Sequence, residues 1–257
     1  MSESHTTPAA GAARFASAQR IALVPSTRRV RAIFNGATVV DSLRALLLLE
    51  AGHRPVYYFP RADVRMALLA PTTHATHCPY KGDASYWTVT AGGRSAENAA
   101  WSYERPIPEM APIGGRLAFY WKLMDHWFEE DEEIFGHPRD PYHRVDVRAS
   151  AREVRVVLGG ETIARTRRGL FLFETGLPPR YYIPPEDVRA EFLRPSARTS
   201  VCPYKGRASY WSLEVHGRVA QDAVWSYPRP LPECPRIAGY YCFDPEKVER
   251  LEVETPS

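Results

Sequence analysis

Cys78-Pro79-Tyr80-Lys81-Gly82, followed by Ala84-Ser85-Tyr86-Trp87, returns later in the chain as Cys202-Pro203-Tyr204-Lys205-Gly206 and Ala208-Ser209-Tyr210-Trp211. From this block the match runs outward over residues 30–119 and 154–243 at a constant offset of 124, without a gap, and about four positions in ten are identical. A repeat decides architecture before any local reading does. This period is too long for a solenoid unit and fits a duplicated small domain.

The duplication sorts the chemistry-bearing residues. Of four lysines, Lys81 and Lys205 occupy one matched pair of positions, and of four cysteines, Cys78 and Cys202 do. Trp87 matches Trp211 and Trp101 matches Trp225, whereas none of the eight histidines is matched. Chemistry common to both copies is therefore expected to rest on cysteine, lysine, tyrosine and tryptophan; the alternative is that these residues form a shared core.

A chain of 257 residues, 44% hydrophobic and 25% charged, has the composition of a soluble globular protein with room for two domains. No apolar run approaches the roughly 20 residues that cross a bilayer, so no membrane partner is expected. A net charge of +3 points to no nucleic-acid partner. The first 20 or so residues are rich in Ala, Ser and Thr without the apolar centre of a secretory signal, which reads as a disordered tail and a cytoplasmic protein. No Cys-x-x-Cys pair occurs, so reduced thiols are expected.

Within each copy the elements read as short strands. Residues 28–34 alternate and reach Asn35-Gly36, a hairpin turn. The apolar run before Glu50 and Val56-Tyr57-Tyr58-Phe59 favour strands, and residues 63–69 and 187–193 read as one short helix per copy. After the Cys-Pro-Tyr-Lys-Gly block a strand runs to a Gly92-Gly93 turn and returns through Trp101-Ser102-Tyr103. The expected fold is mainly β: two tandem antiparallel domains over 25–121 and 151–250, tails at 1–24 and 251–257, and a connector over 122–150. The connector holds the acidic run 129–133, read as a solvated face or linker, and then His137-Pro138-Arg139-Asp140-Pro141-Tyr142-His143, an extended stretch able to bring polar groups to a crevice.

Tyr57-Tyr58-x-Pro60-x-x-Asp63-Val64, Cys78-Pro79-Tyr80-Lys81-Gly82, Tyr86-Trp87 and Ala100-Trp101-Ser102-Tyr103 together resemble the family catalogued as domain of unknown function 427, over close to 200 residues in both copies. That family has carried a nucleotidyltransferase-like label, but no Gly-x-Gly-x-x-Gly or Walker-type loop stands in this sequence to cradle a phosphate. The resemblance implies a β-tent similar to methionine sulfoxide reductase B and the drug-binding domain of cereblon. Those folds hold a structural zinc on two Cys-x-x-Cys pairs; their absence here removes the expected metal.

The candidate catalytic residues are Cys78 and Cys202, thiols three residues from a lysine; Lys81 and Lys205 themselves; and His137, Asp140 and His143 of the connector. The candidate ligand-binding residues are Tyr80, Trp87, Trp101 and Tyr103, with Tyr204, Trp211, Trp225 and Tyr227. Across the Gly92-Gly93 turn, Trp101 and Tyr103 should share a face with Tyr86 while Trp87 faces away. Arg44 and Arg168 are expected to pair with Glu50 and Glu174, and Asp63 and Asp187 to cap the short helix. His74, His77 and Cys78 have loosely metal-like spacing that the second copy lacks, and neither a metal nor a cofactor is expected. The expected function is small-molecule binding, leaning to a metal-independent enzyme of small-molecule metabolism; the alternative is a non-catalytic module for a ligand or peptide.

Overall fold

The computed structural model describes residues 21–254, so of the tails read over 1–24 and 251–257 only residues 1–20 and 255–257 lie outside the described residues, and residues 21–24, read as disordered, form a strand. The chain divides into two compact units between Asp140 and Pro141. The first carries β1 (Ile21–Pro25), β2 (Val30–Phe34), β3 (Ala37–Ser42), β4 (Leu46–Glu50), β5 (Val56–Tyr58), β6 (Leu69–Cys78), β7 (Gly82–Ala91), β8 (Arg94–Ser102), β9 (Leu117–Phe119), β10 (His126–Glu129) and β11 (Glu132–Ile134). The second carries β12 (Val145–Ser150), β13 (Val154–Leu158), β14 (Glu161–Thr166), β15 (Gly169–Glu174), β16 (Arg180–Ile183), β17 (Leu193–Cys202), β18 (Gly206–Val215), β19 (Arg218–Ser226), β20 (Tyr241–Phe243) and β21 (Arg250–Val253).

In the second domain seven strands form one antiparallel sheet in the order β12-β15-β16-β20-β19-β18-β17, beside a small sheet β14-β13-β21. The first domain repeats this order in two pieces, β1-β4-β5 and β6-β7-β8-β9, beside β11-β10-β2-β3. Phe59 and Leu117 bridge the two pieces, exchanging hydrogen bonds of 2.7 and 2.9 Å. Every sheet stays within one domain. Asn35 and Gly36 close the β2–β3 hairpin with φ of 46° and 75°, the twist that suits a two-residue turn.

The long sheet is buried on both faces, which explains why residues 45–49 form an unbroken apolar run rather than an alternation. Leu47 and Leu49 join Val30, Phe34, Phe59 and Trp87 in one core, whereas Leu48 joins Ile21, Tyr58, Tyr86 and Tyr103 on the opposite face. Burying one such large side chain contributes about 2 kcal/mol. The second domain has the same two cores, around Val154, Ile163 and Phe243, and around Leu172, Tyr182 and Tyr227.

The repeat is wider than its identities. Strands β1 and β10 stand 124 residues before β12 and β21 and pair with equivalent neighbours. The segment 122–150 expected as a connector therefore belongs largely to the domains: β10 and β11 to the first, β12 to the second. The strand β21 likewise occupies residues read as a tail. Within the acidic run, Glu129 is buried, where it accepts a hydrogen bond from the Tyr57 hydroxyl at 2.8 Å and pairs with Arg28. The short helices are replaced by 3-10 turns, Arg61–Asp63 and Met66–Leu68 in one copy, Pro185–Asp187 and Ala190–Phe192 in the other. Val64 and Val188 interrupt them because each bridges to the adjacent strand, at Val40 and Ala164. No helix among the described residues is long and apolar enough to cross a membrane.

Candidate functional site

The Cys-Pro-Tyr-Lys-Gly block is the turn between β6 and β7, closed by the Lys81 amide donating to the Cys78 carbonyl at 3.2 Å. Gly82 sits at φ +102°, and a Cβ there would lie 3.3 Å from the Arg105 carbonyl. Only glycine lets residues 105–107 approach this closely. The approach lets the Ile107 amide donate to the Lys81 carbonyl at 3.1 Å, which fixes the lysine's backbone. Gly206, Arg229 and Leu231 repeat the arrangement around Lys205.

So fixed, Lys81 points inward. It is 7% exposed, and its Nζ donates to Glu50 Oε2 at 2.6 Å, at the end of β4. Lys205 pairs with Glu174 in the same way. This corrects the expected Arg–Glu pairs: Arg44 and Arg168 bind Asp63 and Asp187 at the surface, joined by the Ser42 and Thr166 hydroxyls. Asp63 and Asp187 therefore cap no helix, and the arginine beside each holds its carboxyl below the usual range. Lysine reaches the buried glutamate because the glycine-bounded turn aims it across the sheet. Arg44 and Arg168 stand ahead of β4 and β15, exposed to solvent.

Beside the pair rises an aromatic wall. Tyr86 and Trp101 face each other across β7 and β8. The Trp101 indole N–H donates to the Tyr58 hydroxyl at 3.2 Å, with the rings edge to face. Trp225 and Tyr182 repeat the bond at 3.4 Å. The Tyr86 hydroxyl meets Thr76 at 2.9 Å, as Tyr210 meets Ser200 at 2.8 Å. Burial pushes the Tyr58, Tyr103, Tyr182 and Tyr227 phenols well above their ordinary value, so they remain protonated donors at neutral pH.

A cavity of about 350 Å³ opens over this arrangement in the first domain, and one of about 260 Å³ in the second. Leu48, Glu50, Tyr58, Lys81, Tyr86, Trp101 and Tyr103 line the first; the identical residues 124 positions on line the second. The remaining walls differ. The first adds Tyr120, Trp121, Trp127, His137 and, from exposed positions, Arg54 and Lys122. The second adds Arg180, Arg198, Asp222, Asp244 and Lys247.

Trp101, Tyr103, Lys81 and their counterparts Trp225, Tyr227 and Lys205 thus converge, and His137 joins the first cavity. Other candidates stand elsewhere. Trp87 and Trp211 lie on the opposite face of β7 and β18, in or against the main cores, because successive side chains alternate. Cys78 and Cys202 are half-buried against the aromatic clusters and line neither cavity. Tyr80 is exposed at the turn's tip, and Asp140 lines neither cavity.

His143 stands in the second domain. Its ring stacks on Tyr204 at 4.2 Å and its Nε2 lies 2.9 Å from Glu174 Oε1. Burial pushes Glu174 upward, but the His143 hydrogen bond and the Lys205 charge outweigh it and hold the carboxyl below its ordinary value. Tyr58 and Tyr182 were not singled out from sequence. The signal was present in the doubly retained Tyr-Tyr pairs, where strand alternation sends Tyr58 and Tyr182 to the face that carries the cavity and turns Tyr57 and Tyr181 toward the main cores. Among the described residues, no group of three or more His, Cys, Asp and Glu side chains could hold a metal ion.

No curated protein matches the sequence. The profile of the family described as domain of unknown function (DUF427) matches twice, over residues 22–130 and 146–254. These bounds carry the same 124-residue offset as the strands and take in β10 and β21. The chain therefore belongs to the DUF427 family and carries two copies of its domain in tandem.

Proposed function

We propose that the protein binds small organic molecules in these two cavities, each molecule resting on the Lys–Glu pair and against the tryptophan beside it. The observation that carries this reading is the set of seven identical residues lining both cavities, in a chain where fewer than half the matched positions are identical. A buried ammonium beside a carboxylate offers one donor and one acceptor side by side. The phenols add further donors, and the indole ring adds a flat apolar surface. Few convergent polar groups in an aromatic concavity are what orient a small ligand. Binding is metal-independent in this reading, since the carboxylate on each floor is already engaged by an ammonium. Four unpaired thiols support a reducing, cytoplasmic setting; neither a nucleic acid nor a membrane is part of the proposal.

A second reading, a metal-independent enzyme, draws on one observation. His143, Glu174 and Lys205 form a hydrogen-bonded line of three titratable groups in the second domain, an arrangement suited to moving a proton.

The test is mass spectrometry of small molecules released from gently purified full-length protein. The expected result is a compound retained by the wild type and lost from the Trp101→Ala, Trp225→Ala double variant. Equal retention in a folded double variant defeats the reading. Turnover of that compound, abolished by His143→Phe, separates the enzyme from the binding module.

A further inference from the structure

We infer that the first cavity selects planar organic anions, a carboxylate or phosphate ester on a flat ring system. The inference rests on the small-molecule reading and adds to it the ligand's shape and charge. Of the charged side chains lining this cavity, Lys81 and Glu50 are bound to each other and cancel. Arg54 and Lys122 remain, both exposed, and neither has a carboxylate partner among the described residues. Two cations without a carboxylate partner thus stand on one rim.

The first domain alone carries them. Position 54 matches Pro178 and position 122 matches Glu246, so the second copy has no charge at one site and the opposite charge at the other. The second cavity's added cations are already engaged. Arg180 lies 5.7 Å over the Trp225 ring, Arg198 pairs with Asp222 at 3.6 Å, and Lys247 donates to the Gln221 and Asp222 carbonyls.

Flatness follows from the walls. Tyr120 is 43% exposed at the mouth, with its ring 4.7 Å from Trp101. Trp121 stacks on Trp127 at 4.6 Å and 5°. Large rings left open at a mouth stack on flat partners, and cations at the rim then meet an acid group that stays partly in water.

Ligand-observed NMR on the full-length protein tests this with four probes: 2-naphthoate, 2-naphthyl phosphate, 2-naphthamide and 2-naphthylmethylammonium. The two anions are expected to bind at least about tenfold more tightly than the amide, with a preference that shrinks as salt rises. Arg54→Ala with Lys122→Ala should erase that preference, and Tyr120→Ala, at an exposed position, should weaken all bound probes. If carboxylate alone or phosphate alone shows the preference, the anion class narrows and the inference stands. Amide and anion binding equally, both sensitive to Tyr120→Ala, overturns the inference and leaves the cavity reading intact. Binding that ignores Tyr120, or no binding by any probe, overturns both.

Discussion

At position 120 the first domain has a tyrosine whose ring lies 4.7 Å from Trp101. At the matched position 244 the second has an aspartate, and a guanidinium lies over its tryptophan instead. Beneath these walls the floors are the same: the same lysine on the same glutamate, the same indole N–H on the same tyrosine hydroxyl. Two copies of one fold thus hold a fixed polar floor and vary what surrounds it. The floor is tied to the backbone by the glycine-bounded turn, so changing it disturbs the sheet. Apart from Trp127, which belongs to the core, the walls come from loops and partly exposed strand positions, where substitution costs little. Shared residues therefore report on folding and floor chemistry together, and only the unshared ones distinguish the two cavities.

The largest expected effect lies at the floor. Lys81→Met leaves the largely buried Glu50 without its cation and should cost about 3–5 kcal/mol, and Lys205→Met should cost less, because His143 still reaches Glu174. Adding Glu50→Gln or Glu174→Gln should return much of it. Urea denaturation of the full chain measures both arms. A loss below about 1 kcal/mol at Lys81 would mean that Glu50 is free to reach water. Next come Gly82→Ala and Gly206→Ala. Each forces a side chain to positive φ against the following backbone, at about 1–3 kcal/mol, equal in the two copies.

Much of this was legible in the sequence wherever a local rule acted alone. Asn35-Gly36 gave its hairpin, and alternation across Gly92-Gly93 put Tyr86, Trp101 and Tyr103 on one face with Trp87 on the other. Reading failed where a partner distant in sequence decided the outcome. Residues 63–69 have a helical pattern, but Val64 is drawn into a bridge with Val40. Strands β10 and β21 share no identical residue, since a strand pairs through its backbone whatever its side chains are. The lysine's partner was missed for the same reason. Arg44 and Glu50 flank one apolar run, which suggested a pair, yet Arg44 stands ahead of β4 and turns to Asp63, while the turn at Lys81 delivers the cation that reaches Glu50.

A smaller effect tests the walls. Trp101→Phe and Trp225→Phe keep an aromatic ring but remove the indole N–H that serves Tyr58 and Tyr182. Each should cost about 1 kcal/mol of stability. Any ligand-binding loss should differ between the copies, because Tyr120 can take over stacking in the first cavity and Arg180 cannot in the second. Calorimetric melting with titration of the retained compound measures both. Identical binding losses would mean that the unshared walls do not contribute.

The smallest effect concerns His143 and is read through pH. Glu174 is held below its ordinary value of 4.5, so it contributes stability above that value and loses it as pH falls through its lowered folded value. Burial alone acts in the opposite direction, so the sign comes from the His143 hydrogen bond and the Lys205 charge together. His143→Phe retains a flat ring to stack on Tyr204 and removes the nitrogen beside Glu174. The Glu174 midpoint, followed by carboxyl-carbon NMR, should then rise, and acid unfolding of the second domain should begin at higher pH. At neutral pH the carboxylate stays ionised and paired with Lys205, so the melting temperature should move only slightly. An unmoved midpoint would assign the depression to Lys205 alone, and His143 would then be a ring packed on Tyr204 rather than a member of the proton line on which the enzyme reading depends.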